Sequence, residues 1–188
     1  RHDLSVDRNL KEDFTYDRLN RLERVRLTAP ALSLNSVPTL SLNYDNAGNI
    51  NCKSDAGGLN GADACFNTQA SNYSYGNNAG PHAVTSAGGV SYQYDDNGNQ
   101  TSSSDGRSIT YSVFDKPVRI TKGTNRTDFS YGIGNSRYQR EDFEGSVLQK
   151  RTLYLGGVER ITKNGSTWFK RYLGGVAIAT YYPSSGVQ

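Results

Sequence analysis

One short frame, an aromatic residue followed by aspartate and then by glycine or asparagine, recurs along the 188 residues and constrains the fold more than any other feature. "FTYDRLNRLERV" places Tyr16-Asp17 ahead of Asn20, Arg21 and Leu22. "LNYDNAGNINCK" repeats it with Tyr44-Asp45, Gly48, Asn49 and Ile50, and "YQYDDNGNQTSS" with Tyr94-Asp95, Gly98, Asn99 and Gln100. "YSVFDKPVRITK" reads as a degenerate copy at Phe114-Asp115, followed by Val118, Arg119 and Ile120. "FSYGIGNSRYQR" keeps Tyr131 and a glycine frame without the aspartate, and "YLGG" begins at Tyr154 and again at Tyr172. From Tyr94 onward the anchors stand 20, 17, 23 and 18 residues apart.

The physics of the frame is a β-hairpin. An aromatic ends one strand, the aspartate accepts hydrogen bonds from backbone N–H groups in the turn, and glycine or asparagine takes the positive φ that reverses the chain. An interval of about twenty residues holds two strands and their turns, and a lone hairpin cannot bury its apolar face in water. Such units must stack edge to edge into an antiparallel sheet. Composition agrees: 20 glycines and 17 asparagines are spread among 13 tyrosines, six phenylalanines and one tryptophan. Turn formers among aromatic and β-branched residues predict an all-β chain of many short strands. Aromatics at 11% exclude a disordered chain, and no apolar run reaches the length of a membrane-spanning helix.

The clearest hairpin is "VERITKNGSTWFKRYL". A two-residue Asn164-Gly165 turn sets Lys163 opposite Ser166, Ile161 opposite Trp168 and Glu159 opposite Lys170. Asn97-Gly98 offers a similar turn, and "YDRLNRLERVRL", although spaced like a helix, should fold as strand–turn–strand because it is a copy of the repeat. Regular repeats are expected over 1–54 and 91–188. Between them, 55–90 is rich in Gly, Asn, Ser and Ala and reads as an elaborated surface loop, with a candidate strand at "ASNYSYG". "TAPALSLNSVPTLS" reads as a second irregular connection in which Pro30 and Pro38 limit pairing. Cys52 and Cys65 fit either one disulfide or two free thiols. The chain opens on charged residues rather than a signal peptide and contains no methionine, and it reads as a fragment or processed product of an exported protein.

These motifs, "YDRLNRL", "YDNAGNI", "YDDNGN", the degenerate "FDKPVRI" and the "YLGG" pair, resemble the RHS or YD repeats of bacterial polymorphic toxins, insecticidal toxin complexes and teneurin-type adhesion proteins. "GPHAVTSAGGVSYQYDDNGN" is similar to a bacterial junction between such repeats. The resemblance implies that the whole of 1–188 is one segment of a hollow β-shell, which encloses a toxin polypeptide until its delivery in bacterial competition. The implied partners are that polypeptide, the remaining repeats of the same or a partner chain, and a secretion-system or spike component. No DPxG-type core motif is visible, so no cleavage activity is expected here.

Chemistry-bearing residues fit this non-enzymatic reading. Asp17, Asp45, Asp95 and Asp115 recur in one turn frame, which an active site does not require and turn capping does. "DDNGN" at 95–99 has the alternate oxygens of a calcium loop but lacks the distal glutamate. His82 has no nucleophile elbow to serve, "YGIGNS" lacks the third glycine of a dinucleotide site, and no cofactor or metal is expected. Residues 106–188 hold thirteen basic and six acidic side chains. That balance makes Arg137, Arg140 and Lys150 candidate contacts for an acidic or unfolded cargo. Rival readings are an adhesion module with coplanar tyrosines on one face, and a hydrolase in which His82 meets an acid. Nucleic-acid binding and stable membrane insertion are not expected.

Overall fold

The computed structural model describes residues 2–3, 10–57, 59–76 and 79–183. Among them every regular element is a strand, apart from single 3-10 turns at Pro30–Leu32 and Ile133–Asn135. The chain forms two compact units, 1–93 and 94–188. All strand pairs are antiparallel and join neighbours in sequence, which is the hairpin stack expected from the repeat.

In the first unit one sheet runs in chain order through β1 (His2–Asp3), β2 (Leu10–Tyr16), β3 (Leu22–Ala29), β4 (Leu34–Tyr44) and β5 (Ile50–Lys53). The helix-like spacing of "YDRLNRLERVRL" is thus a strand end, a turn and a strand. Residues expected as an irregular connection instead form the 11-residue strand β4, the longest of the described strands. Pro38 is accommodated because the ladder shifts register beside it. It lies opposite Arg26, the next pair is Leu40 with Val25, and Thr39 bulges out with its hydroxyl donating to the Val25 carbonyl at 3.2 Å.

The segment expected as a surface loop folds back on β4 and β5 and carries β6 (Tyr73–Tyr75), β7 (Val84–Ala87) and the start of β8 (Val90–Tyr94). The candidate strand in "ASNYSYG" is β6. Cys52 and Cys65 are joined in a disulfide, both fully buried. Around them the segment is stitched by side chains rather than by a ladder. The Cys65 N–H donates to Ser41 Oγ at 3.0 Å, and Asn43 Nδ2 donates to the carbonyls of Cys65, Thr68 and Ala70 at 3.2–3.3 Å. Asn72 pairs with both the N–H and the carbonyl of Lys53, at 3.0 and 2.9 Å. Small turn-forming residues here pack as a plug over the sheet; Leu42, Ser41 and Thr85 are also buried in this unit.

The second unit continues as β9 (Gln100–Ser103), β10 (Arg107–Tyr111), β11 (Pro117–Lys122), β12 (Asn125–Tyr131), β13 (Arg137–Glu144), β14 (Val147–Leu155), β15 (Val158–Lys163), β16 (Ser166–Leu173) and β17 (Ala177–Tyr181), paired in that order. The Asn164-Gly165 hairpin has the expected register, with Lys163 opposite Ser166, Ile161 opposite Trp168 and Glu159 opposite Lys170. Both turn residues have positive φ, 50° and 77°, as a type I′ turn requires. Asn97-Gly98 differs: Gly98 alone is positive, at 82°, because that turn belongs to the longer frame described below. Within this unit Ser103, Thr152 and Ile161 are the buried residues among those described. Most strand side chains stay half-covered on one face or the other.

Candidate functional site

The repeated turn is the most specific geometry in the molecule. Five turns, at 16–21, 44–49, 94–99, 111–116 and 131–136, share two backbone hydrogen bonds. The second residue donates to the sixth carbonyl: Asp17 to Arg21 and Asp45 to Asn49 at 2.9 Å, Asp95 to Asn99 at 2.9 Å, Ser112 to Lys116 at 2.8 Å and Gly132 to Ser136 at 2.9 Å. The fifth donates to the second carbonyl, from Asn20, Gly48, Gly98, Asp115 and Asn135, at 3.0–3.2 Å. Those five fifth residues all have positive φ, from 56° to 87°. The first and seventh residues then pair across a register shift, as Tyr16 with Leu22, Tyr44 with Ile50, Tyr111 with Pro117 and Tyr131 with Arg137. The frame is a bulged three-residue turn closed by tyrosine.

Side chains complete it. Asp45 Oδ1 accepts the N–H of Ala47 and Asn49 at 2.9 and 2.8 Å, and Oδ2 accepts Asn49 Nδ2 at 2.9 Å. Asp95 does the same with Asn97 and Asn99, and Asp17 with Leu19 and Arg21. These donors hold the three carboxyls below the usual carboxylate range. The largest cause is the Arg21 N–H for Asp17, the Asn49 side-chain amide for Asp45 and the Asn99 N–H for Asp95. Both oxygens of Asp95, in the calcium-like "DDNGN" sequence, accept hydrogen bonds from its own turn. Among the described residues no group of three His, Cys, Asp or Glu side chains could hold a metal ion.

The fourth copy lies three residues upstream of where the sequence points. Tyr111-Ser112 holds the first two positions, with Ser112 Oγ accepting the N–H of Phe114 and Lys116 at 3.3 Å. A hydroxyl replaces the carboxylate. Phe114 is an exposed turn residue and Asp115 occupies the positive-φ position, its Oδ1 receiving the side-chain amides of Asn97 and Asn99 at 3.0 and 2.8 Å. Tyr154 and Tyr172 do not enter the five-turn frame either. "YLGG" at 154–157 is a tight turn between β14 and β15, with Gly156 at φ 65°. Tyr154 lies under the Arg137 guanidinium, and the Tyr172 hydroxyl donates to Glu159 Oε1 at 3.0 Å.

A second regularity links one turn to the next. The Tyr44 hydroxyl donates to the Leu22 carbonyl at 2.9 Å, Tyr75 to Ile50 at 2.7 Å, Tyr111 to Gln100 at 2.9 Å and Tyr131 to Pro117 at 2.9 Å. Every acceptor is the residue that leaves the preceding turn. Tyr75 is therefore a working copy hidden in the segment expected to be irregular, with Gly76 where the aspartate would stand. Burial pushes the phenols of Tyr44, Tyr75 and Tyr111 up, so they stay protonated donors. Each such bond is worth about 1 kcal/mol net. Tyr111→Phe and Tyr131→Phe should each lower stability by about that amount in urea titrations. Tyr138→Phe, at a half-exposed ring whose hydroxyl makes no described bond, should change it by less than about 0.5 kcal/mol.

The proposed cargo contacts are bound within the sheet. Arg140 Nε donates to Asp142 Oδ1 at 2.8 Å, and Lys150 Nζ lies 3.0 Å from Asp142 Oδ2. Burial pushes the Asp142 carboxyl up, but Lys150, Arg140 and Thr127 outweigh it and hold it low. Arg137 lies over the rings of Tyr154 and Phe129, at 4.5 and 5.3 Å. His82 meets the side-chain oxygen of Asn49, Nδ1 to Oδ1 at 2.6 Å, not a carboxylate and nucleophile. The aromatic platform that an adhesion module would need is divided. Trp168 stacks with Tyr182 at 6.2 Å, whereas Phe169 meets Tyr181 at 6.4 Å, and neighbours along a strand point to opposite faces. No helix among the described residues is long and apolar enough to cross a membrane.

No protein-family profile matches the chain, and no curated protein matches it. Among solved structures it is similar to a chain of the Photorhabdus luminescens Tc holotoxin pore, with 16% identity over 92% of its own length and a TM-score of 0.47. It spans about 7% of the length of that chain.

Proposed function

We propose that this chain is a non-enzymatic wall segment of an RHS-type β-shell, which encloses a toxin polypeptide in an exported particle and helps deliver it. The observation that carries the reading is the five-fold recurrence of one tyrosine turn with the same pair of backbone bonds. Iterated geometry serves extension of a sheet; a catalytic constellation needs one copy, in one place. The single ladder of the second unit, with three buried residues among those described, also supports a wall rather than a self-contained globule. Tyrosine suits the task, because its ring packs on the pleat while its hydroxyl satisfies a backbone carbonyl next door.

The test is protease protection in the protein as its source produces it, with its remaining repeats. A wall segment predicts a polypeptide that survives digestion in the intact particle. It should be cut once mild denaturation opens the sheet. Digestion of every non-repeat segment at the same rate before and after opening would overturn the reading.

A further inference from the structure

We propose that the face of β14–β17 that presents Arg160 and Arg171 binds an extended acidic segment of polypeptide. This deepens the wall reading, on which it rests, by naming the chemistry of what the wall meets. Residues 147–181 hold Lys150, Arg151, Arg160, Lys163, Lys170 and Arg171 against one acid, Glu159. The register sorts them by face. Leu153, Arg160, Phe169 and Tyr181 form one row straight across four strands. Leu155, Val158, Arg171 and Ala179 form the next, and Arg151, Thr162 and Thr167 flank the first row on its other side. Glu159 points to the opposite face, where it accepts the Tyr172 hydroxyl.

On this face Arg151 is already paired with Glu141, through Nε at 2.8 Å and Nη2 at 2.7 Å. Arg160 and Arg171 are both exposed, and neither has an acidic partner among the described residues. They are also diagonal neighbours, since Arg171 lies opposite Val158, two residues before Arg160. Like charges so placed repel across the ladder, and a carboxylate between them would relieve the repulsion. A groove of about 360 Å³ runs beside Arg160, lined by Arg151, Leu153, Arg160, Thr162 and Thr167 among others. Exposed Leu155, in the Arg171 row, and exposed Leu173, two residues beyond Arg171 on β16, continue the apolar surface around Arg171. Apolar side chains beside arginine in both rows fit a strand-like ligand with alternating apolar and acidic side chains. No aromatic ring lines the groove itself; Phe169 and Tyr181 stand further along the same row, and the RNA arm of the experiment tests whether bases stack there.

The experiment measures binding of a fluorescein-labelled peptide of alternating glutamate and leucine to the full chain at low salt. Arg160→Glu with Arg171→Glu should weaken binding at least roughly tenfold. Raising the salt should weaken the unaltered protein similarly. Lys163→Glu with Lys170→Glu, on the opposite face and equal in charge change, should alter affinity less than about twofold. Arg160→Gln with Arg171→Gln, which keeps polar side chains at both positions, should lie between. Equal loss from both faces would overturn the inference, because net charge alone would then explain binding. So would tighter binding of a single-stranded RNA that the arginine changes abolish. Protected cargo alongside a groove that ignores the peptide would remove this inference and leave the wall; a binding groove with no protected polypeptide would do the reverse.

Discussion

Reduction of the Cys52–Cys65 disulfide is expected to lower the stability of the first unit by about 3 kcal/mol and to leave the second unit unchanged. The two cysteines are 13 residues apart, and closing a loop of that length removes a corresponding amount of entropy from the unfolded chain. The 59–72 segment lacks a strand ladder of its own, and it is held to β4 and β5 by the disulfide and by side-chain amides. Amide exchange should report the loss as a roughly hundredfold faster exchange across β4 and β5. Trp168, the one tryptophan, lies in the second unit, so its urea midpoint is the internal control. Unchanged β4 and β5 exchange after reduction would show that the amide stitches alone hold the plug.

The second large effect is at Gly88, where alanine should cost about 3 kcal/mol while the same change at Gly89 costs about 1. Both glycines have positive φ, 55° and 83°. Alanine pays the left-handed conformation at either position, about 1 kcal/mol. Space separates them. A methyl at Gly88 would run into the backbone carbonyl of Ala56, which cannot swing aside like a side chain, whereas at Gly89 nothing lies within 4 Å. The Gly88 N–H also donates to the Asn72 carbonyl at 2.9 Å, so its backbone cannot retreat without losing that bond. Thermal melts of the two single variants test the difference directly, and equal shifts would mean that the Ala56–Gly88 approach is not tight in solution.

How much of this could be read beforehand varied with the kind of signal. The 158–173 hairpin was legible to the residue, because Asn164-Gly165 dictates a type I′ turn and the turn dictates register. Tyr16, Tyr44 and Tyr94 were legible as turn anchors, since aspartate in the next position marks the frame. The fourth anchor was not. In the sequence the aromatic–aspartate pair points to Phe114, but the shared backbone bonds need only tolerance of positive φ at the fifth position, and Gly132 shows that a side-chain acceptor at the second is dispensable. Asp115 supplies the positive φ, and the Ser112 hydroxyl stands where the carboxylate would. Tyr75 was hidden for the same reason, with glycine at its second position. Pro38 misled because proline opposes a regular ladder, and nothing local announces the bulge that admits it.

The candidate binding face was the least legible part. The excess of basic residues after 106 is plain in the sequence, yet which cations remain unpaired depends on register. A bulge between Asp142 and Phe143 sets Lys150 directly opposite Asp142 and Leu148 opposite Phe143. That local slip neutralises part of the charge expected at Arg140 and Lys150. Arg160 and Arg171 escape because the β14–β16 ladders run without a bulge and place no acid on their face.

The tyrosine hydroxyls all reach backward along the chain, by 22, 25, 11 and 14 residues. A nascent polypeptide leaving the ribosome therefore finds, at each of these tyrosines, an acceptor that has already been synthesised. Assembly can proceed vectorially, one hairpin at a time, without waiting for distant partners. Loss of residues from the C-terminal side leaves every earlier bond intact, whereas loss from the other end strands a donor at the new boundary.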